Sequence, residues 1–288
     1  MPDARSQVPP PLVRASDPAS LFVPEAGGWL PTALSRGPWS ADALHGGPVA
    51  ALVARAVEGC EPDSAMHVAR LTVELRRPVP LTPLTVAAVL SRPGHKVQVI
   101  DVSVAAGSTL VATARAVRIR MLAADEAPAV DVSGPVPGQP GAPAPPGAGR
   151  LAPALGAEII AFHTSGAELR FVDGTFRGRG PARVWVRLAV PVVPDEEPSP
   201  LQRAAAAADF GNGVSAVVDF ERYVFVNPDL TVYLERPPVG EWVCLDASTR
   251  LGAPGVGLAH SVLWDERGQI GRSLQSLVVQ ARPDQTGE

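Results

Sequence analysis

Asp209 stands out among the carboxylates of this chain. Five alanines, Ala204 to Ala208, precede it, and Phe210-Gly211-Asn212-Gly213 follows. A carboxylate set between apolar residues and permissive backbone is expected to be enclosed. Loss of water favours its protonated form, which would suit it to work as a base near neutral pH. The plain alternative is a solvated residue just past the end of a helix. His45-Gly46-Gly47-Pro48 is the second segment with chemical potential. It leads into an apolar run, so its amides would stand at the positive end of a helix, where developing negative charge is favoured. The same residues also describe a tight turn into a helix with His45 as a capping or packing residue.

Other side chains offer less. The five histidines, His45, His67, His95, His163 and His260, have no metal-ligand spacing with cysteines or acids, so no metal site is expected. Ser215, Ser261 and Ser276 lack the setting of a nucleophile elbow. Gly252 to Gly257 is glycine-rich but has no following lysine, and reads as a hairpin connection rather than a nucleotide loop. The net charge of -4, with both signs interspersed, offers no stripe for a phosphate backbone and argues against nucleic-acid binding. Cys60 and Cys244 form no ligand cluster and read as reduced core thiols of a cytoplasmic protein. The first 20 residues lack a signal-like apolar stretch, and no run of about 18 apolar residues occurs, so neither secretion nor membrane insertion is expected.

The elements that must position these residues come in two copies. Leu71-Thr72-Val73-Glu74-Leu75-Arg76-Arg77-Pro78 returns, six of eight residues identical, as Leu230-Thr231-Val232-Tyr233-Leu234-Glu235-Arg236-Pro237. Both copies alternate as strands do and end at a proline, which cannot donate to a ladder. A separation of 159 residues indicates tandem domains rather than a solenoid. Between them, residues 127 to 150 hold seven prolines and five glycines, a connector composition. The expected division is a disordered tail over 1–20, a first unit over 21–125, a connector over 126–151 and a second unit over 152–283. Apolar residues at helical spacing predict a helix from about Pro48 to Glu58, then strands over 68–76, 84–90, 96–104 and 109–120. The second unit repeats the plan, with a strand over 182–190, an alanine-rich helix over 200–209, and strands over 230–234, 243–250, 258–264 and 272–282.

One helix lying across an antiparallel sheet, twice over, resembles a double hotdog of the α+β class. Trp39 upstream of His45-Gly46-Gly47-Pro48, the repeated LTVxLxRP strands and Asp209 closing the second helix are similar to the TesB-like acyl-CoA thioesterases. The resemblance implies hydrolysis of an acyl thioester to free acid and thiol by an oriented water. It assigns Asp209 as general base and Gln275 as a water-orienting amide. Asn227 falls where the best-known relatives carry a threonine, and could orient the water as an amide. His45, Gly46 and Gly47 would bind substrate, with backbone amides near the glycines as oxyanion donors. Coenzyme A enters only as part of the substrate, and no other cofactor is implied. The partner would be an acyl-CoA or an acyl-carrier thioester, and further pairing of chains is compatible with the fold but not required by it. A hotdog dehydratase or hydratase using His45, and a non-catalytic acyl-binding module, are the competing readings. Aligning the last turns places Ala114 opposite Gln275, so a single active site, built at the seam between the halves, is expected.

Overall fold

The computed structural model describes residues 19–123, 125–126, 141–152, 160–176 and 178–282. Most of the expected tail lies outside the described residues, as do residues 127–140 of the connector. In the first unit, strands β1 (Phe22–Glu25) and β2 (Gly28–Pro31) precede helix α1 (Gly46–Gly59). Strands β3 (Met66–Leu75), β4 (Leu84–Arg92), β5 (Val97–Ala106) and β6 (Thr109–Arg120) follow it. In the second, β7 (Arg150–Leu151), β8 (Ala167–Asp173) and β9 (Ala182–Leu188) lead to α2 (Pro200–Ala208) and the short α3 (Gly211–Val214). Strands β10 (Tyr223–Val226), β11 (Asp229–Leu234), β12 (Val243–Leu251), β13 (Val256–Asp265) and β14 (Gly268–Ala281) complete it.

The described strands form one sheet in the order β1-β2-β4-β5-β6-β3-β11-β14-β13-β12-β9-β8-β7, with β10 paired to the far end of β14. All pairings are antiparallel, and each half of the sheet curls around its own helix. The fold is a double hotdog. The repeated octapeptides form its centre: β3 pairs with β11 so that Thr72 faces Thr231, and the Thr231 hydroxyl lies 3.1 Å from that of Thr72. Residues related by the repeat oppose each other there, so the pseudo-twofold axis of the molecule passes between them.

That register revises the expected counterpart of Gln275. Thr231 pairs with Leu274 and Thr72 with Arg115, which makes Leu274 equivalent to Arg115 and Gln275 equivalent to Ala116 rather than Ala114. Turn alignment missed this because Gly107 lies inside its two-residue turn while Gly268 follows its own, which shifts the match by two residues; ladder pairing fixes equivalence directly. An alanine still stands where the glutamine would be.

Helix α2 is narrow. Ala204 to Ala208 are all at most 1% exposed, and their small side chains let the helix lie close to α1 inside one continuous apolar core. Strands β1, β2, β7, β8 and β10 were not expected. Pro24, Pro31 and paired glycines break the period-2 pattern in the first two, and β10 has only four residues. Within the connector, residues 141–151 lie against the second unit. Trp185 donates its indole N–H to the Ala144 carbonyl at 2.7 Å, and Arg150 and Leu151 pair with β8. Among the described residues, no helix is long and apolar enough to cross a membrane.

Candidate active site

The two helices run antiparallel, so the start of α1 meets the end of α2. His45 caps α1, its Nδ1 lying 3.0 Å from the Gly47 amide. The same Nδ1 lies 2.8 Å from Oδ2 of Asp209, which follows α2 directly. Glycine is needed for this approach. A Cβ on Gly46 would fall 2.7 Å from both Asp209 oxygens, and one on Gly47 would fall 2.7 Å from the Ala206 carbonyl. The glycines thus admit the second helix.

Asp209 is 4% exposed, as enclosed as its alanine-rich setting predicted. Three side chains meet its carboxylate. Asn227, from the loop ahead of β11, donates to Oδ1 at 2.9 Å and also to the Asp229 carbonyl at 3.1 Å. Gln275 donates to Oδ1 and to the Asp209 carbonyl, each at 3.3 Å, while its own oxygen accepts from the Asn212 amide at 3.0 Å. Strand alternation puts Gln275 on the inner face with Ser273 and Leu277, behind the carboxylate. Expected as water-orienting groups, both amides hold the carboxylate itself. Donors of this kind fix the plane of the carboxylate.

His45 Nδ1 has room for one hydrogen but meets both an N–H and a carboxylate. Carrying a proton, it donates to Asp209; bare, it accepts from Gly47. A proton on Nδ1 would leave Nε2 as the accepting nitrogen of the ring. The ring is held on two sides, 4.8 Å from Phe210 and 5.1 Å from Phe162 between centroids.

A cavity of about 910 Å³ opens here. His45, Gly46, Asp209 and Asn227 line it, while Gly47 and Gln275 lie behind its wall. Both units contribute. Trp39 comes from the first and packs 5.8 Å from Phe220 and 5.0 Å from Phe225 of the second, with the Arg282 guanidinium 5.7 Å over its ring. Most of the wall is apolar or aromatic, with a few convergent polar groups, the composition typical of a small-molecule site.

Among the polar groups of the wall that sequence reasoning did not assign to the site is a histidine. His163 lines the cavity, and burial, with a smaller push from the charge of His45, lowers its pKa from 6.5 to about 4. It sits in a single wide turn, Phe162–Gly166, in which the Gly166 amide reaches back five residues to the Ala161 carbonyl. Neither periodicity nor motif marks this turn in the sequence. No group of three or more metal-ligating side chains occurs among the described residues.

A family profile described as the acyl-CoA thioesterase N-terminal domain matches residues 35–119, and one described as the C-terminal domain matches 134–279. The chain belongs to this acyl-CoA thioesterase family. A candidate thioesterase II from Thermobifida fusca is 16% identical, with a TM-score of 0.67 over 90% of this chain and 96% of that one. A hotdog protein of unknown function from Alicyclobacillus acidocaldarius is 17% identical, with a TM-score of 0.66 over 92% and 97%. The acyl-CoA thioesterase II TesB2 of Mycobacterium marinum is 17% identical, with a TM-score of 0.57 over 85% and 92%. At such identities the likeness speaks for the fold. No match was found among curated proteins.

Proposed function

We propose that this protein hydrolyses acyl-CoA or acyl-carrier thioesters at the seam between its two hotdog units. The observation that carries the reading is the 2.8 Å contact between His45 and Asp209 at the wall of a large, mostly apolar cavity. In the proposed cycle, Asp209, fixed by Asn227 and Gln275, holds the Nδ1 proton of His45. His45 Nε2 takes a proton from a water whose oxygen attacks the thioester carbonyl carbon. The tetrahedral intermediate collapses, the C–S bond breaks, and the imidazolium returns its proton to the departing sulfur. Asp209 therefore serves as the anchor of the base, a refinement of the direct role its position first suggests. Asn227 contributes here through its amide nitrogen, and the role is compatible with asparagine because only a donor toward the carboxylate is required.

Free-thiol release from acyl-CoAs of varied chain length, compared for wild type and Asp209→Asn, tests the reading. Turnover is expected to fall at least roughly 100-fold in the variant, the lower scale for losing acid–base help. Wild-type-like turnover by the variant would sink the mechanism. The same histidine–carboxylate pair also favours a second reading, hydration or dehydration of an acyl thioester with His45 as the acid–base group. Hydration of an enoyl-CoA without thiol release would establish that alternative. Binding of acyl-CoA with neither reaction would mark a non-catalytic module.

A further inference from the structure

Thioester hydrolysis places negative charge on the carbonyl oxygen, and enzymes commonly meet it with more than one preorganised donor. The start of α1 supplies few. Of the first four backbone positions, which lack partners within the helix, the His45 amide donates to the Ser35 carbonyl at 2.9 Å. Gly47 lies behind the cavity wall with its amide directed away toward His45, and Pro48 has no N–H. Only the Gly46 amide remains, and Gly46 lines the cavity. A second donor must come from elsewhere in the wall.

His163 fits that need. Its Nδ1 is buried without a hydrogen-bond partner among the described residues. A buried N–H without an acceptor is rarer than an under-used acceptor lone pair, so the proton belongs on Nε2. Nε2 is then the ring atom left to face the cavity that His163 lines. The neighbouring Phe162 ring packs against His45 and would meet a Cβ on Gly47 at 2.8 Å, which sets this turn directly beside the start of α1. Phe176, also in the wall, stacks on the His163 ring with centroids 6.3 Å apart and restrains its orientation. The lowered pKa keeps the ring uncharged in the physiological range, so it donates without competing with His45 for Asp209. Wide single turns of this kind are frequent at functional sites.

We infer that His163 is a catalytic residue, donating its Nε2–H to the thioester carbonyl oxygen as a second oxyanion donor beside the Gly46 amide. The inference rests on the hydrolytic reading above. His163→Phe keeps the ring and removes the donor; His163→Gln keeps a donor. For His163→Phe, kcat is expected to drop by about 100-fold or more across acyl chains with KM little changed, the pattern of an interaction made in the transition state. His163→Gln is expected to recover at least about tenfold of that loss. In a slow Asp209→Asn background, the infrared C=O stretch of a bound acyl-CoA should move to higher wavenumber when His163→Phe is added, because the carbonyl is less polarised. A folded His163→Phe variant with wild-type kcat, a loss confined to hydroxyacyl substrates, or an unmoved C=O stretch would each overturn the role. If His163→Phe fails to fold by circular dichroism, the Gln variant and its carbonyl stretch decide. Loss of activity in Asp209→Asn with an unaffected His163→Phe removes this inference alone. Absence of thiol release by the wild type removes the hydrolytic reading along with it.

Discussion

The helix pair has two ends related by the pseudo-twofold axis, and they have diverged in chemistry. At one, the start of α1 and the end of α2 leave Asp209 and His45 against a cavity. At the other, the end of α1 and the start of α2 are tied shut. Glu58 accepts from the Ser199 hydroxyl at 2.8 Å and from the Gln202 amide at 3.1 Å, while Ser199 also caps α2. Arg55 pairs with Glu196 and lies 4.7 Å over the Trp29 ring, beside a groove of only about 230 Å³ that Glu58 does not line. Both ends hold a carboxylate near two amide or hydroxyl donors. One faces a space large enough for an acyl group, and the other serves as a clasp. The duplicated scaffold thus kept two acidic positions and opened one.

The largest expected effect separates the ends by activity. Asp209→Asn should lose at least roughly 100-fold in thiol release, and Glu58→Gln should lose none. Comparable losses at both ends would break the comparison. Next comes acid stability, which belongs to the open end through His163. Its folded pKa of about 4 lies below the unfolded value of 6.5, so between these pH values the unfolded chain binds more protons and stability rises with pH. On the order of 3 kcal/mol should be lost as the pH falls through that window. Denaturant unfolding should show this slope in wild type and a flattened one in His163→Phe.

A smaller effect probes the clasp. Ser199→Ala removes the cap of α2 and one donor to Glu58, and should cost about 1 kcal/mol with turnover unchanged. A matched fall in kcat would mean that the closed end transmits to the open one. The smallest effect concerns Glu58 itself. Burial raises its pKa despite its hydrogen bonds, so the folded state holds the proton more tightly, and its contribution falls as pH rises through the folded pKa. Melting temperatures of wild type and Glu58→Gln should therefore diverge in favour of the variant as the pH is raised from acid to neutral. A wild type that gains on the variant over that range would contradict the assignment.

Much of this was legible in the sequence. Alternation over Leu71–Leu75 and Leu230–Leu234 gave the central strands, because one face of each is buried. The Gly46-Gly47-Pro48 start and the alanine run gave both helices nearly to their ends. Asn227 and Gln275 do converge on Asp209, 2.9 and 3.3 Å from its Oδ1. Their division of labour was not legible. That Asn227 and Gln275 reach the carboxylate, and that Gln275 lies behind the cavity wall, depends on the direction of side chains from a loop and a strand far apart in the chain. His163 escaped notice because its turn has no repeating pattern, and its partners Phe176 and His45 are distant in the chain.

By itself, then, the sequence determined the duplicated scaffold, its helices and the place of its acidic residue. Local backbone preference and the period of apolar burial act over a few residues and are written in their order. The tertiary structure alone decided that His45 meets Asp209, that the corresponding end at Glu58 is closed, and that His163 completes the wall. These facts rest on packing two helices at glycine distance and on a register fixed by pairing strands 159 residues apart, distances that no local pattern spans.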